Sequence, residues 1–348
     1  MEPIVTRWSQ GQPPSAEQWQ RLIQHELADS DRAAAWQLSS DNVRSRLSQR
    51  AQWLLQLRQA QPAFPIALDF AALTPLLWQL WLPLCRWLID AQQAQGRPLI
   101  QGILGGQGTG KTTLTQSLQL VLAQLGRRAV CLSLDDLYLT YAERRRLRAA
   151  DPRLIWRGPP GTHDIQLGIR TLTQLNQPDT GQTIAIPRFD KSLHQGEGDR
   201  AAPELVSPVD FVLFEGWFVG LQPIDPAHFE LPPDPICTPA EVQFALDMNQ
   251  QLHNYLPLWQ LLDRLIVLYP QDYRLCQRWR QQAEQAMQAA GKSGMSAAAV
   301  EAFVTYFWRA LHPELFVTPL LQRADSVDLV IEIGPDHAPC AVYIPKSR

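Results

Sequence analysis

The stretch Gly105-Gly106-Gln107-Gly108-Thr109-Gly110-Lys111-Thr112-Thr113 does most to limit what this chain can fold into. It fits G-x-x-x-x-G-K-[ST] and lies between an apolar run, Leu99 to Leu104, and an amphipathic stretch, Lys111 to Leu125. A strand, a glycine-rich turn and a helix in that order form a phosphate cradle. The glycines let backbone N–H groups converge on phosphate oxygens, and the helix N-terminus adds a favourable dipole. Gly105 to Thr113 are therefore expected to hold a nucleotide, with Lys111 reaching the β/γ-phosphates and the Thr112 hydroxyl turned to Mg2+. A glycine turn matching by chance would lack those flanks and the extra glycines inside the motif.

From Pro98 onward, short runs rich in Leu, Ile and Val alternate with helical stretches, the pattern of a parallel sheet covered on both faces. Strands are expected at Leu99 to Leu104, Ala129 to Leu134, Val209 to Phe214, Leu265 to Tyr269 and Val327 to Ile333. This predicts an α/β domain over 97–348 with a mostly parallel five-stranded sheet flanked by helices. Residues 1–96 carry no strand-like run and are expected to form a helical region. There, Ser15-Ala16-Glu17-Gln18 matches a capping box ahead of Trp19, Leu22, Ile23 and Leu27. Further helices are expected over Ser40 to Gln59 and, kinked by proline, Phe70 to Gln93. Tyr138 to Pro208 is a long stretch dense in Gly, Pro, Arg, Asp and His, and such long connections are usually functional.

Composition narrows the classes. The chain has 348 residues, 45% hydrophobic and 19% charged, with a net charge of -3, which excludes a disordered chain and offers no basic field for coating nucleic acid. The longest uncharged apolar run, Phe70 to Cys85, is interrupted by Pro75, Gln79 and Pro83 and is too short to span a bilayer. MEPIVTRWSQ does not read as a secretory signal. Five scattered cysteines without a CxxC pair read as reduced thiols, so a cytoplasmic location is expected.

Two carboxylate groups end expected strands at the sheet edge where α/β ligands gather. Glu215 follows Phe214 and is the candidate to hold or polarise the metal ion, the alternative being a solvated strand-end acid. Asp135-Asp136 follow Leu134, and one could accept the proton of an attacking hydroxyl. Asp136 can instead complement a helix N-terminus, which favours Asp135 as base. An NKxD motif is absent, which leans away from switch GTPases and towards kinases. Arg157, His163 and Asp164 in RGPPGTHD, and Arg188, Asp190, Lys191 and Arg200 in PRFDKSLHQGEGDR, are candidate acceptor-binding residues. Guanidinium binds a carboxylate through two donors, although ordinary surface loops would carry similar charges. A helix over Tyr273 to Ala290 carries Arg278 and Arg280, either a basic lid near 272–295 that closes on phosphates or a plain solvated face.

The ordered set GGQGTGKTT, SLDDLYLT, RGPPGTHD, IPRFDKSLHQGEGDR, LFEGW and RWRQQAE resembles the D-glycerate 3-kinases of plant and cyanobacterial type. These are related to the uridine kinase, pantothenate kinase and phosphoribulokinase branch of P-loop kinases. The resemblance covers roughly residues 98 to 335. It implies transfer of the ATP γ-phosphoryl group to the 3-hydroxyl of D-glycerate with Mg2+ in the cytoplasm, as in photorespiratory recovery. It also implies Asp135 as base, Glu215 as the metal-side carboxylate and Arg278 or Arg280 in the lid. Leu137 stands where related kinases more often have Phe. A related kinase for pantothenate, a nucleoside or another hydroxy acid, and a non-catalytic ATP-binding interaction protein, are the alternatives. The sequence is silent on oligomeric state.

Overall fold

A computed structural model describes residues 2–177, 181–289, 291 and 294–346. Eight strands occur among them: β1 (Leu99–Gly105), β2 (Ala129–Ser133), β3 (Ile184–Asp190), β4 (Asp199–Val206), β5 (Phe211–Gly216), β6 (Arg264–Pro270), β7 (Leu329–Ile333) and β8 (Pro339–Tyr343). The main sheet runs β2-β5-β1-β6-β7-β8. Its first five strands are the five expected, paired in parallel, and β8 adds an antiparallel edge that the sequence reading did not include. Strands β3 and β4 form a separate antiparallel hairpin inside the long 138–208 stretch.

Because strand side chains alternate, each central strand feeds two cores. Leu99 and Ile103 of β1, with Phe211 and Leu213 of β5, face one side. Ile100 and Leu104, with Val212 and Phe214, face the other. Both strands are buried throughout, which is why their sequences read as unbroken apolar runs.

The first core is closed by α7 (Lys111–Gln124), which follows six helices of the N-terminal region. These are α1 (Glu2–Ser9), α2 (Ala16–Ala28), α3 (Ser30–Ala35), α4 (Val43–Ala60), α5 (Phe70–Leu76) and α6 (Leu82–Gln95). The capping box at Ser15 and Gln18 is present at the start of α2. Trp8, Trp36, Trp78, Trp81 and Trp87 share one continuous core with Leu114, Leu118, Val121 and Leu122 of α7. Pro83 lacks an N–H and would crowd the carbonyl one turn earlier, and the chain widens into a π-turn over Leu77–Trp81 between α5 and α6.

The opposite core takes α8 (Tyr141–Ala150) at its rim, α9 (Ile165–Leu175), α10 (Pro239–Leu252) and the short α11 (Leu256–Trp259). Then come α12 (Leu275–Ala289), α13 (Ala297–Ala310) and the single turn α14 (Pro313–Phe316). No helix among the described residues is long and apolar enough to cross a membrane.

One buried ion pair locks the N-terminal layer. Arg50 Nη1 donates to both Glu26 oxygens at 3.1 Å and to the Trp78 carbonyl at 3.2 Å, while Trp78 Nε1 donates to Glu26 Oε1 at 3.0 Å. Both side chains are almost fully buried. Glu26→Ala would strand a guanidinium and an indole N–H away from water. The expected loss of stability is about 3–5 kcal/mol, read from the urea midpoint. A loss below about 1 kcal/mol, the scale of an exposed pair, would contradict this account.

Candidate active site

Strand β1 delivers its chain directly into the glycine turn, and α7 begins at Lys111. Gly108 and Gly110 sit at φ +78° and +85°, where a side chain is strained. Space is also closed at Gly106 and Gly108. A Cβ on Gly106 would come within 2.7 Å of Cys276 Sγ, and one on Gly108 within 2.7 Å of Trp279 Cβ, so α12 rests directly on the turn. Lys111 Nζ donates to the Gly106 carbonyl at 2.9 Å. Gln107 and Thr113 are half-buried at the two ends of the turn, and Thr109 Oγ1 closes it by donating to the Gly106 carbonyl at 2.9 Å.

Strand β5 lies beside β1 with Ile103 opposite Glu215. That register places the buried Glu215 carboxylate against the first turn of α7, and Thr112 Oγ1 donates to Glu215 Oε1 at 3.0 Å. A hydroxyl and a carboxylate side by side are hard oxygen donors that suit Mg2+, which keeps most of its shell for water and phosphate. No cluster of three His, Cys, Asp or Glu occurs among the described residues.

On the far side of β5, β2 ends in a 3-10 turn, Leu134–Leu137, capped by Ser133. The two acids there have different partners. Asp136 Oδ2 accepts from the Ser133 N–H at 3.0 Å and from Arg188 Nη1 at 2.9 Å. Burial pushes the Asp136 carboxyl up from its ordinary value, against the pull of those donors. Asp135 Oδ1 accepts from the Tyr138 hydroxyl at 2.7 Å, and Oδ2 from Lys191 Nζ at 2.6 Å. Burial raises the Asp135 carboxyl, but the Lys191 ammonium and the Tyr138 hydroxyl outweigh it and hold it below the usual range.

The other sequence candidates cluster around this edge. Arg188 is spent on Asp136, on Glu204 Oε2 at 2.6 and 2.9 Å and on the Cys131 carbonyl at 3.0 Å. Arg200 holds Asp164 Oδ2 at 2.8 Å and the Tyr138 carbonyl at 3.2 Å. Asp164 caps α9 through the Leu167 N–H. Arg157 donates to the carbonyls of Gly196 and Glu197 at 2.7 and 3.0 Å. Asp190 takes the Ser192 N–H and hydroxyl at the hairpin tip, 2.8 and 2.6 Å away. His163 is buried, with Nδ1 at 2.8 Å from the Tyr255 hydroxyl and its ring stacked on Tyr138 at 4.7 Å. Burial pulls its imidazole down to about 3, so it is neutral at physiological pH. Among the described residues its Nε2 has no hydrogen-bond partner.

On α12, Arg278 is exposed, whereas Arg280 pairs with Glu284 and lies over the Phe303 ring at 5.4 Å. Ala290, Lys292 and Ser293 of the expected lid fall outside the described residues. Sequence reasoning did not single out Cys276, Trp279, Tyr138 or Tyr255 as parts of the site. For Tyr138 the signal was its place three residues after Asp135.

No family model matches the chain. It is 34% identical over 260 residues to the chloroplastic D-glycerate 3-kinase of Arabidopsis thaliana, covering 70% of this chain and 54% of that protein, so it spans about half that relative's length. It is 33% identical over 233 residues to the uncharacterized kinase mug58 of Schizosaccharomyces pombe, covering 64% of this chain and 83% of the relative. Among solved structures, D-glycerate 3-kinase from Cryptococcus neoformans var. grubii superposes with a TM-score of 0.65 at 27% identity, covering 74% of this chain and 97% of that one. With the glycine turn, the Thr112–Glu215 pair and Asp135 arrayed along one edge of a parallel sheet, the chain belongs to the family of P-loop kinases that includes mug58 and the D-glycerate 3-kinases.

Proposed function

We propose that this chain is an ATP-dependent kinase that phosphorylates the 3-hydroxyl of D-glycerate, giving 3-phospho-D-glycerate and ADP. The observation that carries the reading is the pairing of Asp135 with Lys191 at the same sheet edge as the phosphate loop, a base and a cation side by side. A three-carbon hydroxy acid presents the matching groups, a terminal hydroxyl and a carboxylate. Two of the relatives described above are D-glycerate 3-kinases, which supports the choice.

In this reading the N–H groups of the glycine turn and Lys111 bind the triphosphate, so Lys111 exchanges the Gly106 carbonyl for β/γ-phosphate oxygens. Thr112 and Glu215 would hold Mg2+, which when bound neutralises phosphate charge. Asp135 orients the acceptor hydroxyl and takes its proton as the new O–P bond forms, while the β–γ bridging oxygen leaves with ADP. Within the cationic segment from Arg188 to Arg200, Lys191 faces the acceptor's carboxylate, since Arg188 and Arg200 are held by other partners. Arg278 and Arg280 belong to the helix that lies on the loop, in a position to respond to bound phosphate. The five cysteines are all free, which favours a reducing compartment, and we place the enzyme in the cytoplasm, where its product would rejoin carbon recovery of the photorespiratory kind.

The reading is tested by coupled ADP release with D-glycerate, glycerol, pantothenate and uridine offered separately. D-Glycerate should give the highest kcat/KM, and a higher value for any other acceptor would reassign the substrate. Asp135→Asn should lower kcat by about 10^2 to 10^4-fold with little change in ATP affinity, because the carboxylate does not touch phosphate. Equal activity would move the base to Asp136. For Lys111→Ala, turnover should be abolished with the circular dichroism spectrum retained, and near-normal activity would contradict the role given to the loop lysine.

A further inference from the structure

The cations around the acceptor site are not equivalent. Arg144 donates to the carbonyls of Leu139, Glu197 and Gly198, and Arg157 to those of Gly196 and Glu197. Arg188 bridges Asp136, Glu204 and the Cys131 carbonyl, and Arg200 bridges Asp164 and the Tyr138 carbonyl. Each of these guanidinium groups ties one chain segment to another, and moving it would leave carbonyls or carboxylates unpartnered. Lys191 differs on every count. It sits just past β3 at the tip of the hairpin, its side chain is 60% exposed, and among the described residues its partner is Asp135.

The two oxygens of Asp135 are also unequal. Oδ1 is held by Tyr138, whose ring is fixed by the His163 stack and an edge contact with Phe189 at 5.0 Å. Oδ2, the oxygen left for a substrate hydroxyl, is covered by the Lys191 ammonium at 2.6 Å. We propose that Lys191 is the specificity-determining residue of the site, a cap on Asp135 Oδ2 that is drawn off by the carboxylate of an anionic acceptor. This deepens the reading of the previous subsection and rests on it.

An anionic and a neutral acceptor offer the ammonium different partners. Lys191 is a point charge on a flexible stem with three donors, so it can change partners without an imposed geometry. An acceptor carboxylate replaces Asp135 as its counter-anion, and Oδ2 is then free for the hydroxyl on the third carbon of the same molecule. The hydroxyl proton passes to Oδ2 as its oxygen bonds to the γ-phosphorus of ATP, and ADP departs with the bridging oxygen. A neutral polyol offers no anion, so its hydroxyl must compete with the ammonium for Oδ2. Discrimination thus comes from unmasking the base as well as from binding the acid, a case of rejecting the wrong partner by a contact it cannot replace.

The test compares wild type, Lys191→Met and Lys191→Arg with D-glycerate and with glycerol, ATP being saturating. Removing the ammonium should cost about 10 to 150-fold in kcat/KM for D-glycerate, the equivalent of one charge-assisted hydrogen bond, with the loss mainly in KM. The same Lys191→Met substitution should raise kcat/KM for glycerol, because Oδ2 is uncovered. Lys191→Arg should restore part of the preference for the acid. A fall of equal size for both acceptors, or an unchanged preference in Lys191→Met while wild type uses D-glycerate, overturns the cap. Wild type releasing no ADP with D-glycerate overturns the substrate reading itself, and the two failures are thereby told apart.

Discussion

The register of β1 against β5 is the constraint on which the rest of the site depends. Ile103 opposite Glu215 and Leu104 opposite Gly216 bring the glycine turn and the strand-end carboxylate to the same level. A slip of β1 by one residue would exchange its two buried faces, because Leu99 and Ile103 feed one core while Ile100 and Leu104 feed the other. Burial on both faces therefore fixes the chemistry at the strand ends. The N-terminal helices take part in this, since their tryptophans and leucines complete the core beneath α7 and so brace the helix that begins at Lys111. Gln56 on α4 also donates to the Gln124 carbonyl at the far end of α7.

A second layer of constraint assembles the edge around Asp135 and Asp136. Adjacent acids at the end of β2 divide the work: Asp136 anchors the β3–β4 hairpin through Arg188, and Asp135 meets the tip of that hairpin through Lys191. That bond holds β3 two residues before its end, while the Lys191 side chain just beyond it is 60% exposed. The segment Leu137 to Leu139 pairs with Thr162 to Asp164, so the turn in RGPPGTHD is held against the same acids by backbone hydrogen bonds. Trp217 Nε1 adds a bond to the Gly158 carbonyl, connecting the end of β5 to that turn.

Elements buried on both faces were legible in the sequence, and those stabilised at a distance were not. The strands β1, β2, β5, β6 and β7 read as apolar runs because the sheet covers both their sides. Strand β4 is mostly exposed, β3 carries Pro187, and β8 buries only Val342 deeply, so none of these carries a continuous apolar signal. The helix α9 was hidden in a stretch read as loop, although Asp164 caps it and its buried face is apolar. In the site, Lys111 and Thr112 carry a local signal in the glycine-rich motif, and Glu215 and Asp135 carry one at the ends of apolar runs. Their partners could not. The Lys191–Asp135 and Arg188–Asp136 pairs join residues more than fifty positions apart, and the glycines at 106 and 108 reveal a close approach without naming Cys276 and Trp279 as the residues that make it.

The proposed mechanism places reaction at one defined hydroxyl, the 3-hydroxyl, with the same molecule's carboxylate on Lys191 and the proton passing to Asp135 Oδ2. The most direct measurement is 31P NMR of the products formed from ATP, Mg2+ and D-glycerate. One 3-phospho-D-glycerate per ADP is the predicted result. Phosphate at the 2-hydroxyl, or ADP accompanied only by inorganic phosphate, would contradict it.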